Sequence, residues 1–300
     1  MKYHNPAHLA IIACPGCEVF ADKVIGHLTR IYHRYNERLA AEFAKRYNHA
    51  SGTVTEQVNS ISDAIFGRGK YTVPKLKTPV LFTCFPNGEI KAEIQESIRG
   101  KDIYIFQDVE NHYPLSFSGC ENGKILSIND HLMTLFVTID AARNAGAQRI
   151  TLVIPNYPYA RQHKVKGREG LTAGRIGNIF EGLGVCHIIT LDIHSRDIMN
   201  SFTRIRLENL HASYQIIRTL STMDGILNDD FVVVSPDTGA VDRNKFLPRR
   251  LKSPLPFCTR NVIIQRSARM RRKTIFPKSG SWAALRIKRF LWPMTCLARG

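Results

Sequence analysis

The run ITLVIPNYPYARQHK, Ile150–Lys164, decides how this chain is read. Its first six residues are apolar or β-branched, the pattern of a strand buried on both faces. Asn156 and Pro158 then break the run, and it turns basic at Arg161. In parallel α/β sheets ligands gather outside the carboxyl ends of the strands, in loops of this kind. Working outward, similar runs stand at Leu9–Cys14, Val80–Phe85, Ile103–Gln107, Ile188–Asp192 and Phe231–Ser235. Helical periodicity falls between them: Ala21–Arg46 as one or two helices, Asn129–Ala145, and Thr172–Leu183 with Thr172 as N-cap. This alternation predicts an α/β fold with mainly parallel sheets. Four of the predicted strands end in chemically rich loops: Phe85–Glu89, residues 156–170, Asp192–His194 and Ser235–Gly239.

Three hundred residues suffice for one large or two medium α/β domains. The formal charge of +17 suggests a polyanion binder, but its distribution argues otherwise. Fourteen of the 42 basic residues and none of the 25 acidic ones fall in Leu247–Gly300. The rest of the chain is close to neutral, so the charge belongs to a tail. Seven irregularly spaced cysteines suit a reducing compartment. Cys14 and Cys17 form a lone C-x-x-C between a strand and a helix, readable as a redox pair or as a tight turn around Pro15-Gly16. No stretch approaches the roughly 20 apolar residues of a membrane span, and no signal-peptide pattern is visible. A cytoplasmic protein is the expectation. The polar segment Tyr47–Lys77 reads as an insertion, and His211–Leu220 as the crossover into a second domain.

Each constellation has a functional and a plain reading. Arg161, Gln162, Lys164 and Arg168 suit polyphosphate, since Arg offers a planar fork of donors and Lys a compact charge; they also suit a solvated basic loop. His194, two residues after Asp192, can ligate a metal or simply pack. Asp237, in Ser-Pro-Asp-Thr-Gly, can hold Mg²⁺ or ribose hydroxyls, or form a turn. Phe85, Asn87 and Glu89 can flank a nucleoside, or make an Asn-Gly hairpin turn.

In order and spacing, Phe-Pro-Asn-Gly-Glu, Tyr-Ala-Arg-Gln, Leu-Asp-Ile-His and Val-Val-Ser-Pro-Asp-Thr-Gly-Ala-Val-Asp-Arg resemble the ribose-phosphate pyrophosphokinase family from about Leu81 to Lys245. The resemblance implies two phosphoribosyltransferase-like α/β domains, usually assembled as a hexamer. It also implies transfer of the β,γ-diphosphoryl group of ATP to ribose 5-phosphate with Mg²⁺. It puts Phe85, Asn87, Gly88 and Glu89 at the ATP nucleoside, often across a subunit interface, and Arg161 and Gln162 on the ATP loop. His194 and Asp237 fall on its Mg²⁺ positions. His163 stands where the family usually has Asp.

The resemblance implies an ATP-binding domain over residues 1–210 and the start of a second over 211–246. It then stops. Neither the catalytic Lys/Arg loop nor the Asp-Asp loop that cradles ribose 5-phosphate is present in residues 247–300, so catalytic residues are unassigned and the second domain is expected to be incomplete. Codons formed from the last base of each triplet and the first two of the next permit both motifs, the catalytic one around Pro256–Gln265 as Leu-Tyr-Lys-Lys-Arg-Asn-Tyr. Trp292-Pro293 is then forced to Ala and Met294-Thr295 to Asp, within a reading compatible with Phe-Met-Ala-Asp-Asp-Met-Leu. The expectation is an out-of-frame tail and a chain with negligible synthetase activity. The alternatives are a non-catalytic, nucleotide-binding or regulatory paralogue, and nucleic-acid binding confined to the tail.

Overall fold

The computed structural model describes residues 8–47, 75–165 and 167–222, together with short strands further on. The chain divides into two compact units, Met1–Leu210 and His211–Gly300. Most of the expected Tyr47–Lys77 insertion, and the boundary expected at Phe246, lie outside the described residues.

In chain order the first unit contains β1 (Leu9–Ala13), α1 (Glu18–Tyr47), β2 (Val80–Cys84), β3 (Ile90–Ile94), β4 (Asp102–Phe106), β5 (Leu115–Phe117) and β6 (Cys120–Lys124). Then follow α2 (Ile128–Asn144), β7 (Arg149–Val153), α3 (Thr172–Gly182), β8 (His187–Leu191), a 3-10 turn at Arg196–Ser201, and β9 (Arg206–Leu210). Five strands form one sheet in the order β1-β4-β7-β8-β9, with every neighbouring pair parallel. Side chains alternate across it, as a period of two demands. Ala10 and Ile12 of β1 join a core with Leu135 and Ile139 of α2 and Phe180 of α3, while Ile11 joins Ala21 and Phe106 beneath α1. Ile105, Leu152 and Ile188 lie in the first of these cores with no exposed surface, each contributing about 1.5–3 kcal/mol by burial. The α/β class with a mainly parallel sheet is what the sequence implied.

Three local expectations change. The run Val80–Phe85 is not a strand of the parallel sheet: β2 pairs antiparallel with β3 as a separate hairpin. Its sequence looked buried, but only Cys84 in it is; Leu81 and Phe85 are both 43% exposed. The cause is local. Pro86 presets the turn, the Phe85 carbonyl accepts from Gly88 N–H at 2.8 Å, and Gly88 takes φ +94, the left-handed step that closes such hairpins. Thr172 is not an N-cap. The cap is Leu171, without a side-chain bond, and the Ala173 N–H is taken by the Gln162 carbonyl at 3.2 Å; backbone from the preceding loop does the work of a hydroxyl. Finally, β9 was not foreseen. Arg-Leu-Glu-Asn-Leu is mostly polar because, as the last strand in the sheet order, it pairs among the described residues only with β8, and Leu207 alone in it is buried. By contrast α1 is a single helix, and α2 begins on a capping box in which Ser127 and Asp130 serve each other's N–H groups.

Two glycines of α3 set how near the 3-10 turn approaches. A Cβ at Gly174 would stand 2.8 Å from Ser201 Oγ, and one at Gly177 would stand 1.9 Å from the Phe202 ring. Phe202 also packs against Tyr157, their centroids 6.2 Å apart. Gly177→Ala must therefore push the ring out of its seat, and an overpacking cost of about 1–3 kcal/mol is expected in urea unfolding. A variant as stable as the parent would refute this account of the contact.

In the second unit the described elements are α4 (Ser213–Leu220) and the strands β10 (Phe231–Val233), β11 (Phe257–Thr259), β12 (Val262–Gln265), β13 (Thr274–Ile275) and β14 (Arg289–Leu291). β10 pairs parallel with β14, and β11, β12 and β13 make a small antiparallel sheet. The strand expected over Phe231–Ser235 is thus described over three residues.

Candidate functional site

The site grows from the neighbourhood of β7 and β8. Their pairing, Leu152 with Ile188 and Val153 with Ile189, starts the two following loops about 4.8 Å apart. In the first loop Tyr159 sits at φ 55, and in the second Asp192 sits at φ 45, the two non-glycine residues with positive φ among those described. Such conformations cost on the order of 1–3 kcal/mol and persist where surrounding bonds hold them. The bonds are there. The Tyr159 carbonyl accepts from Gln162 N–H at 2.9 Å, and its hydroxyl donates to Asn129 at the start of α2. Asp192 N–H donates to the Leu210 carbonyl at 2.8 Å, and Ile193 N–H to Asn209 Oδ1 at 2.9 Å. Below them Tyr157 is buried, its hydroxyl bonded to the Ala173 carbonyl at 2.9 Å and held protonated by burial.

The two strained turns bring a His from each loop together: the His163 and His194 ring centroids are 5.3 Å apart at 61°. Lys164 and Asp197 bridge the same loops at 3.0 Å, and the lysine holds the Asp197 carboxyl below its usual range. Arg161 and Gln162 lie exposed just before His163. Of the residues singled out from sequence, the structure thus gathers Arg161, Gln162 and His194 at one sheet end. Phe85, Asn87, Gly88 and Glu89 instead form the tip of the β2–β3 hairpin, where Cys84, Ser118 and Lys124 are the neighbours. Asp237 lies outside the described residues. Sequence reasoning missed Tyr159, Asn209 and Glu181. No periodicity marks them, although the position of Tyr159 directly after Pro158, within the loop that turns basic, was a hint.

Glu181 of α3 is the anchor of the segment that returns to β9. Its carboxylate accepts from the N–H groups of Thr203, Arg204 and Ile205 at 2.7–3.0 Å and from the Thr203 hydroxyl at 3.0 Å. Those backbone donors, Arg204 first, lower its pKa from 4.5 to about 2. A depressed carboxyl stabilises the fold above its unfolded pKa and loses that contribution as pH falls through the folded one. Glu181→Ala is expected to cost about 1–2 kcal/mol at pH 7, and the difference from the parent should shrink between pH 4.5 and 2 in urea titrations. An undiminished difference at low pH would show that the carboxylate's charge is not the source.

The Cys14–Cys17 pair sits inside the core rather than at a surface. Both cysteines are unbonded and buried, Cys14 turned toward Thr138 Oγ1 at 3.7 Å. Burial, then the charge of Asp108, pushes Cys17 up to about 12, and burial raises Cys14 likewise. The reactive thiolate is therefore suppressed, and the motif serves as the tight turn, with Gly16 at φ +86.

Among the described residues no three His, Cys, Asp or Glu side chains are arranged to hold a metal ion. Mg²⁺ asks for less, keeping several waters and taking one or two protein groups plus phosphate oxygens. The exposed His194 at a strand's carboxyl end can add one nitrogen donor to such a sphere, which oxygen atoms otherwise fill. No described helix is long and apolar enough to cross a membrane.

Comparison with known proteins bears on these loops directly. The family described as the N-terminal domain of ribose phosphate pyrophosphokinase matches residues 33–184, which include β7, its loop and α3. Ribose-phosphate pyrophosphokinase from Listeria ivanovii is 39% identical over 58% of this chain and 49% of its own. The one from Thermosipho africanus is 38% identical over 57% and 49%. The chain thus spans about half the length of these curated relatives. In fold it is similar to phosphoribosylpyrophosphate synthetase from Mycobacterium smegmatis, with a TM-score of 0.58 at 24% identity, over 90% of this chain and 67% of that one.

Proposed function

The chain belongs to the ribose-phosphate pyrophosphokinase family, and from that premise we propose that its first unit binds ATP with Mg²⁺ for diphosphoryl transfer to ribose 5-phosphate. The anomeric hydroxyl oxygen of the ribose attacks the β-phosphorus, the bond from that phosphorus to the oxygen bridging the α-phosphate breaks, and AMP leaves. Mg²⁺ supplies charge neutralisation on the phosphates. Little covalent work falls to the protein in such transfers, which depend on positioning and on cations. Arg161 offers its fork to phosphate oxygens, Gln162 a donor and an acceptor to the nucleoside, and His194 a ligand to the ion. The juxtaposition of the Arg161–Lys164 loop with His194 at the ends of β7 and β8 carries this reading. The Phe85–Glu89 hairpin, seated on a sheet of its own, supplies the nucleoside contacts of a neighbouring copy in a homo-oligomer.

Titration of Mg²⁺·ATP into the full chain by calorimetry, beside a coupled assay for phosphoribosyl diphosphate, tests the proposal. Saturable nucleotide binding that weakens in Arg161→Ala supports it; no binding, or binding indifferent to Arg161, removes it. The composition of residues 247–300, without one carboxylate, favours a second reading alongside: a nucleotide-binding subunit without turnover that acts by assembling with an active relative.

A further inference from the structure

We infer that His163 and His194 together form a two-imidazole cation position that favours a first-row transition ion over Mg²⁺ at the triphosphate. The inference rests on the proposed nucleotide site and adds a residue and an ion preference to it. Three observations carry it. The rings stand 5.3 Å apart between centroids, and two imidazoles sharing one tetrahedral ion at about 2.0–2.1 Å have centroids roughly 5 Å apart. Nδ1 of His163 is screened from solvent and has no hydrogen-bond partner, leaving a ring nitrogen that a cation would satisfy. The two loops are each held through a strained residue, Tyr159 four positions before His163 and Asp192 two before His194. Backbone strain retained in both loops leading to one pair of rings is what an imposed geometry looks like.

The chemistry follows from donor type. Mg²⁺ is a hard ion that takes oxygen ligands, whereas imidazole nitrogen suits Co²⁺, Ni²⁺ and Zn²⁺. With one histidine, phosphate oxygens and water dominate the coordination sphere and Mg²⁺ remains competitive. A second nitrogen donor tilts the site toward the softer ion. Lys164, bridged to Asp197 across the same two loops, ties the arrangement without supplying a ligand of its own.

Co²⁺ is the suitable probe, because its visible absorption reports nitrogen coordination independently of turnover. Co²⁺·ATP and Mg²⁺·ATP are titrated into the full parent chain and into His163→Asp and His163→Ala, with the cobalt spectrum recorded at saturation. The parent is expected to prefer Co²⁺·ATP, and the preference to fall about tenfold in both variants, with a shift of the cobalt bands toward oxygen coordination. Unchanged preference and unchanged bands in both variants, with nucleotide still bound through His194, overturn the inference and leave the proposed function standing. A parent chain that binds neither complex overturns both.

Discussion

A gene in which the alternative frame is restored after Phe246 is expected to gain synthetase turnover by about 10³-fold or more over the chain as it stands. The reason is charge. On the proposed reading the first unit supplies nucleotide contacts, but the diphosphoryl group in flight carries negative charge that cationic side chains must meet, and ribose 5-phosphate needs a backbone cradle for its phosphate. In the family these come from a Lys/Arg loop and an Asp-Asp loop, and Leu247–Gly300 carries neither pattern. One shifted reading is compatible with both, in order. The coupled assay for phosphoribosyl diphosphate measures the gain. A chain fully active as written, or a restored frame with no more activity, would sink the out-of-frame account.

The second large effect is expected at His194. Its replacement by alanine should weaken Mg²⁺·ATP binding about 10–100-fold in calorimetry, by analogy with losses at the supporting residues of metal sites. The side chain is exposed, and its removal opens no core cavity, so the melting temperature should stay near that of the parent. That pairing of results separates a ligand from a packing residue. A preserved affinity, or a lost affinity that travels with unfolding, would count against His194 as an ion ligand.

Gly177 and Glu181 shape the segment between His194 and β9. The close approach of the Phe202 ring to Gly177 and the three N–H groups gathered on Glu181 make the loop after β8 a packed structure. Neither residue could be singled out from its neighbours in sequence. A glycine in a helix reads as a weak position, and a surface glutamate reads as solvent-facing.

What was legible beforehand followed from short-range chemistry. Ile150–Pro155 and Ile188–Asp192 announced themselves as strands because burial on both faces leaves continuous apolar runs, and helices α2 and α3 because one face alternates with the other at 3.6 residues. The same logic misled at Val80–Phe85, where an apolar run proved to be one arm of a half-exposed hairpin, and it passed over β9, where a strand at the end of the sheet order needs only one buried side chain. The motif residues Arg161, Gln162 and His194 were visible by type and order alone.

By itself, then, the sequence determined the α/β class, the loops that bear chemistry and the abrupt change of character after Phe246. Only the tertiary structure decided that the loops after β7 and β8 meet, that His163 faces His194, and that Phe85–Glu89 rides on a hairpin apart from them. The physical reason is range. Burial and periodicity act over a few neighbouring residues, whereas the meeting of rings 31 positions apart depends on strand order and on two backbone turns held in the left-handed region by partners elsewhere in the chain.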